Sequence, residues 1–273
     1  MSSQRTKLTS NVNDSKNTRM DIEGLAAGDA RTDILAHMSR YNKVAELMLD
    51  LSKKLKRPIR VLDIGCGELY PLRVLYKAHV CKKSEVVASY IGVDIDGPML
   101  ERQKKYSASM LQIFNAKLVT QDLTTHPVLD IEPGSIDLFF SCEVIEHMKP
   151  EFIPVWLDEV DRLLAPDGVV YVSTPNHDGS NDKLPIDHVY EWGFEELKTE
   201  LEKRWYLVSA TGTFIQMPEF NRVNAKCQFI PAELVDAFKL RFDRFWLRNV
   251  LAAPYPQFSN NVAWTLLKRK PSA

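Results

Sequence analysis

The chain has 273 residues, of which 45% are hydrophobic and 26% charged, so it is long enough to bury roughly three quarters of its unfolded surface around one substantial core. Thirty-five lysines and arginines against thirty-six aspartates and glutamates leave no global field that would draw the whole protein to nucleic acid or an anionic membrane. The four cysteines (Cys66, Cys81, Cys142, Cys227) form no CxxC pair, and no run of about 20 apolar residues or signal-peptide core is present, so a reduced, cytoplasmic protein is expected.

In chain order, residues 1–30 are rich in Ser, Asn, Thr, Lys and Asp and carry few large apolar side chains; a flexible tail able to close over a ligand is the expectation. From 31 to 273 a single domain is expected. Between Ile34 and Leu55 apolar residues recur at helical spacing (Leu35, Met38, Val44, Leu47, Met48, Leu51, Leu55), which predicts an amphipathic helix or a pair of them. An alternation follows: strand 60–64, helix from about 69, strand 90–94, helix 97–106, strands 116–119 and 136–141, helix 151–164, strand 168–173, helix 193–203. Short connections between such elements imply parallel strands covered by helices on both faces, hence a doubly wound α/β sheet. Strands 206–214 and 261–268 complete seven as an antiparallel hairpin at the sheet edge. An insert at about 215–260, with a helix near 231–250, precedes the last strand.

The first strand runs straight into a glycine turn, RVLDIGCG at 60–67. In a doubly wound sheet this is the first βα crevice, where ligands bind. Gly65 and Gly67 permit a sharp turn and close approach of a ligand to backbone, and Asp63 at the strand end can hold an ammonium group or an ordered water. The second strand ends in Asp94, placed to accept hydrogen bonds from both hydroxyls of a ribose. After the third comes Asp122, able to accept from an adenine amino group, with Leu123 beside it to pack on the ring. Each acid alone would be an ordinary cap or turn former. Three of them in register at consecutive strand ends point instead to a nucleoside-type cofactor. A nicotinamide dinucleotide is disfavoured, because the position three after Gly67 is Tyr70 and not the last glycine of GxGxxG.

Together VLDIGCG, GVDID, VTQD, SCEVIEHM and the strand after LLAPDG stand in the order of the class I S-adenosylmethionine-dependent methyltransferases, which residues 35–215 resemble. The resemblance implies that Gly65 and Gly67 approach the methionine part of S-adenosylmethionine, that Asp94 holds its ribose and that Asp122 recognises its adenine. One departure is that many members carry a third glycine where this chain has Leu69.

The loop after the fourth strand concentrates ionisable groups: Glu143, Glu146 and His147. A second cluster, DKLPIDHVYEW, brings Asp187, His188, Glu191 and Trp192 after STPN at the end of the next strand, so that His147 and His188 could share a pocket. Either His147 acts as a general base toward a hydroxyl, or the acids and imidazoles bind a cation, or they form a structural ion pair and helix cap. ExxEH with a later His resembles the metal-dependent small-RNA 3′-terminal 2′-O-methyltransferases, which implies Glu143, Glu146, His147 and His188 as ligands of Mg²⁺ or Mn²⁺. It equally resembles metal-free methyltransferases of small molecules and those encoded by phages. The acceptor is accordingly expected to be an oxygen or nitrogen of a small molecule or a nucleic acid, with no membrane partner; a scaffold that binds the cofactor without turnover is the rival class.

The insert is aromatic (Phe214, Phe220, Phe229, Phe238, Phe242, Phe245, Trp246, Tyr255, Phe258) and carries Arg222, Lys226, Lys239, Arg241, Arg244 and Arg248. Bases could stack on the rings and phosphates meet the cations. The helical spacing of Phe238, Phe242, Phe245 and Trp246 argues that these rings form a buried face instead.

Overall fold

The computed structural model describes residues 30–78, 85–177, 184–215 and 244–269, with a few positions between 231 and 237. The N-terminal tail (1–29) and most of the 215–260 insert, including Phe220, Phe229, Phe238 and Phe242, lie outside the described residues. Among the described residues, one helix, α1 (Ala30–Leu55), precedes the sheet. Then come β1 (Ile59–Ile64), α2 (Tyr70–Ala78), β2 (Val87–Asp94), α3 (Gly97–Tyr106), α4 (Ala108–Ile113), β3 (Ala116–Thr120) and β4 (Ile136–Cys142). After two 3₁₀ turns follow α5 (Ile153–Leu163), β5 (Leu164–Pro175), α6 (Phe194–Glu202), β6 (Trp205–Phe214), α7 (Arg244–Ala252) and β7 (Asn261–Lys268).

The seven strands lie in the order β3-β2-β1-β4-β5-β7-β6. β1 pairs parallel with both β2 and β4, and β7 runs antiparallel between β5 and β6. The strand order reverses between β1 and β4, the position at which a doubly wound sheet opens a ligand crevice at its carboxyl edge.

Alternation along the central strands builds two cores. Val61, Leu138 and Phe140 point to one face, where they meet Val44, Met48, Leu72, Leu75 and Leu100 of the helices on that side. Leu62, Ile64 and Phe139 point to the other and pack on Trp156, Leu157, Val160, Leu197 and Trp264. Each fully buried aliphatic chain contributes about 1.5–3 kcal/mol of transfer free energy, which makes a one-residue slip of β1 or β4 prohibitive. The amino ends of β1 and β4 are tied by Asp137, 2% exposed, whose carboxylate takes hydrogen bonds from Arg57 and Arg60 at 2.7–3.1 Å.

β5 begins at Leu164 and β2 at Val87, earlier than the sequence pattern suggests, because Ile136 and Ile59 offer them partners across the ladder. Among the described residues, no helix is long and apolar enough to cross a membrane.

Candidate active site

The glycine turn leaves β1 with Gly65 at φ 73° and Gly67 at φ 47°. Gly65 has a steric reason beyond its dihedral: a Cβ there would fall 2.1 Å from Cγ2 of Val144, in the loop that leaves β4. Among the described residues, apart from its chain neighbours, only Gly65 O comes within 4 Å of where a Cβ on Gly67 would stand. Leu69, where many family members have glycine, also adopts a left-handed φ of 61° while fully buried. The turn therefore takes a left-handed residue with a side chain, at a strain of about 1–2 kcal/mol offset by burial of the leucine.

Asp94 is held by two backbone amides, Gly67 N to Oδ2 and Asp96 N to Oδ1, both at 2.9 Å. Each oxygen keeps a further lone pair, which suits a carboxylate receiving two ribose hydroxyls. Burial raises its pKa above the ordinary value, against the pull of these amides. Asp122 accepts the Thr124 amide and hydroxyl on Oδ1 at 2.9 and 2.6 Å, and among the described residues Oδ2 takes no hydrogen bond. Leu123 beside it is 9% exposed. Asp63 is sealed at 2% exposure and bonded to the Tyr90 hydroxyl; burial pushes its carboxyl well above the usual carboxylate range. These groups fit an adenosine-bearing cofactor: one carboxylate oriented at the end of β2, a second with a spare oxygen after β3, and a turn between β1 and α2 that carries no Cβ at Gly65 and Gly67.

Across the switch point, the loop after β4 and the segment before α6 meet. One ligand atom each from Glu146, His147 and His188 lie within 4.8 Å of one another. The rings of His147 and His188 are 5.2 Å apart, edge to face. His147 Nδ1 lies 2.8 Å from the carbonyl oxygen of Asp187, which can only accept, so Nδ1 is a donor and in the neutral ring the lone pair falls on Nε2. His188 is set the same way by Glu191 Oε1 at 2.5 Å. Glu146, 1% exposed, receives the Thr174 hydroxyl at 3.0 Å, and its carbonyl takes the amides of Val189 and Tyr190. Burial and then the Glu143 carboxylate push the Glu146 carboxyl well above the usual range.

Glu143 stands apart from this trio. Its backbone is left-handed at φ 57°, unusual for a residue with a side chain and costing about 1–3 kcal/mol. Its carboxylate receives Ser173 Oγ at 3.1 Å and Asn261 Nδ2 at 2.6 Å, with Arg40 Nη2 at 3.7 Å. The sequence reading missed Arg40, Thr174 and Asn261. For Arg40 a signal existed, since it falls on the same helical stripe as the buried Ala36, Val44, Met48 and Leu51. Asn261 and Thr174 carry none, because only strand pairing brings them to the loop.

Part of the described insert packs inward. Phe214 is 8% exposed with the Arg248 guanidinium 3.7 Å over its ring, and Arg248 Nε donates to Ile215 O at 2.9 Å. Arg248 is thus engaged within the fold, where the sequence had offered it as a phosphate contact; Tyr255 and Phe258 pack on Ile215, Leu251 and Ala252.

The sequence profile of a family described as a methyltransferase domain matches residues 35–233. No curated protein matches the sequence. Among solved structures, a putative sarcosine dimethylglycine methyltransferase from Galdieria sulphuraria superposes with a TM-score of 0.54 at 15% identity, covering 85% of this chain and 86% of that one. The [4+2]-cyclase SpnF gives 0.53 at 16% identity over 83% and 81%. The putative methyltransferase complex with the Trm112 activator of Haloferax volcanii gives 0.51 at 16% identity over 92% and 98%. At such identities these likenesses establish the fold, and the presence of a cyclase among them shows that one fold carries more than one chemistry.

Proposed function

The chain belongs to the family of S-adenosylmethionine-dependent methyltransferases, and on that premise we propose that it methylates a hydroxyl oxygen presented to Glu146, His147 and His188, which hold a divalent cation. S-adenosylmethionine is the cofactor. It supplies a methyl group already activated by the sulfonium. The protein's part is then to align an acceptor and to help it lose a proton.

In this reading the methionine part lies over Gly65 and Gly67, the ribose on Asp94, and the adenine between Asp122 and Leu123. The observation that carries the acceptor side is the tautomer of the two imidazoles. Both Nδ1 atoms face acceptors, which leaves the Nε2 lone pair of each neutral ring unused by these bonds, and one ligand atom of each ring lies within 4.8 Å of a carboxylate oxygen of buried Glu146. Imidazoles oriented by a carbonyl and a carboxylate behind them are the arrangement that metal-binding histidines use. Two nitrogen donors and one oxygen suit Mn²⁺ better than Mg²⁺, which prefers an all-oxygen shell. A cation held there would lower the pKa of an acceptor hydroxyl. Around it, Thr174 and the Val189 and Tyr190 amides keep Glu146 in place, and Asp187 and Glu191 keep the rings turned.

A second reading is favoured by the same His147 geometry: with Nδ1–H fixed on Asp187 O, Nε2 is free to take the acceptor's proton directly. Methyl-labelled cofactor, offered with small hydroxyl compounds and with RNA carrying a free 3′-terminal ribose, separates the two. Under the cation reading, a chelator abolishes transfer while S-adenosylhomocysteine affinity holds, and added Mn²⁺ restores it. Undiminished transfer in chelator, lost in His147→Ala, would establish the metal-free base.

A further inference from the structure

Arg40 enters no step of this chemistry, yet at 2% exposure it is among the most buried charged residues described. It sits midway along α1 on an otherwise apolar stripe. Nη1 donates to Thr213 Oγ1 of β6 at 3.2 Å, and Nη2 donates to His37 Nδ1 at 2.7 Å. Among the described residues, Nε is a buried donor with no hydrogen-bond partner. Removing a guanidinium from water is strongly unfavourable unless an opposite charge faces it, and a leucine or methionine would fill the same place without that penalty. The arginine must therefore answer a local need for charge.

Glu143 is that counter-charge, 3.7 Å away. It stands at the exit of β4 in a left-handed conformation that persists only where its surroundings over-determine it. Three elements supply the constraint: Ser173 O of β5 takes its amide at 2.9 Å, Ser173 Oγ and Asn261 of β7 donate to its carboxylate, and Arg40 of α1 adds the cation. The serine and asparagine are neutral. Glu146 lies in the same loop, wholly buried, so two carboxyl groups share a confined space, and Arg40 is the cation in ion-pair range of that loop among the described residues. From Glu143 the chain passes through Val144 and Ile145 straight to Glu146 and His147, whose amide bonds back to Val144 O at 3.0 Å. A turn this short transmits any reorientation of Glu143 to both ligands.

We infer that Arg40 is a positioning residue for methyl transfer: docked with α1, its guanidinium holds Glu143 and so fixes the turn that presents Glu146 and His147. The inference rests on the catalytic reading of the Glu146, His147 and His188 cluster. It makes α1 part of the catalytic apparatus, because undocking α1 withdraws the charge that shapes the loop.

The test follows the imidazole ¹⁵N resonances of the full-length protein saturated with S-adenosylhomocysteine, in the wild type, Arg40→Gln, Glu143→Gln and the double variant. Calorimetric affinity for S-adenosylhomocysteine and a urea melt accompany each. Arg40→Gln is expected to move the His147 and His188 resonances away from the Nδ1–H pattern while exposed His126 stays put and the affinity changes less than threefold. Glu143→Gln should move the same resonances with Arg40 intact, and the double variant should go no further than Arg40→Gln alone. Unmoved His147 resonances in Arg40→Gln, or shifts in the double variant equal to the sum of the singles, overturn the inference. Should Arg40→Gln fail to fold, Glu143→Gln decides by itself, since a silent His147 there breaks the proposed link. The catalytic reading fails separately: undiminished methyl transfer by His147→Ala would remove it and leave the Arg40 to Glu143 coupling standing.

Discussion

Gly65→Ala should damage both stability and catalysis through one atom. The new methyl would sit 2.1 Å from Val144 Cγ2, with Val144 Cβ at 3.5 Å and Cγ1 at 3.6 Å. Carbon atoms in contact settle near 3.5–4.0 Å, so about 1.5 Å of room must be found. Valine is stiff at χ1, so the space has to come largely from the main chain of the loop after β4. Overpacking of this kind costs about 1–3 kcal/mol, and an alanine at φ 73° adds about 1–2 kcal/mol, so urea denaturation should show a loss of about 2–5 kcal/mol. The displaced loop carries Glu146 and His147, and a misplacement near 1 Å lowers turnover on the order of 100-fold. Val144→Ala removes the clashing methyl but leaves the dihedral strain. In a double-mutant cycle the pair should therefore show a favourable coupling of about 1–3 kcal/mol, with part of the activity regained. Gly65→Ala within about 0.5 kcal/mol of the wild type, or a pair that shows no coupling, would refute the contact as the reason for the glycine.

Asp94→Ala should weaken S-adenosylhomocysteine binding by about 1–3 kcal/mol in calorimetry, through loss of the ribose hydrogen bonds, in a protein that still melts cooperatively. Asp137 is opposed by burial but pulled further by Arg57 and Arg60, which hold its carboxyl well below the usual carboxylate range. A depressed folded pKa stabilises above the unfolded value near 4 and fades as pH falls below it, so an acid titration of Asp137→Asn should lack part of the wild-type loss below about pH 4. At neutral pH that variant should be less stable by about 2–3 kcal/mol in urea. Burial, then Arg40, lower the His37 pKa to about 3. The folded protein thus resists a proton that the unfolded chain accepts below about 6.5, so stability should fall as pH drops from there toward 3; His37→Gln should flatten that slope in melts across the range.

Much of the geometry of the candidate crevice was legible because its signals are local. A strand that ends in a glycine turn, and acids at the ends of the next two strands, are fixed by covalent sequence once the strands pair in parallel. Leu69 shows the limit of such reading: only the backbone reveals that a leucine stands in a left-handed conformation there. Glu146 and His147 are neighbours in the chain, but His188 joins them only because β5 runs between the two segments and returns the second to the same edge. The orientation of both imidazoles depends on a backbone oxygen and a carboxylate that no spacing rule selects. Glu143 differs most from its sequence expectation. As part of ExxEH it reads as a ligand, whereas packing engages it with Ser173, Asn261 and Arg40, drawn from three other elements. By itself the sequence determined the strand order's raw material, the glycine turn and the run of acids, because each is a matter of a few adjacent residues. Tertiary structure decided which polar atoms face one another across the sheet edge, because side-chain charge and hydrogen bonding act over a few ångströms in space, however many residues lie between.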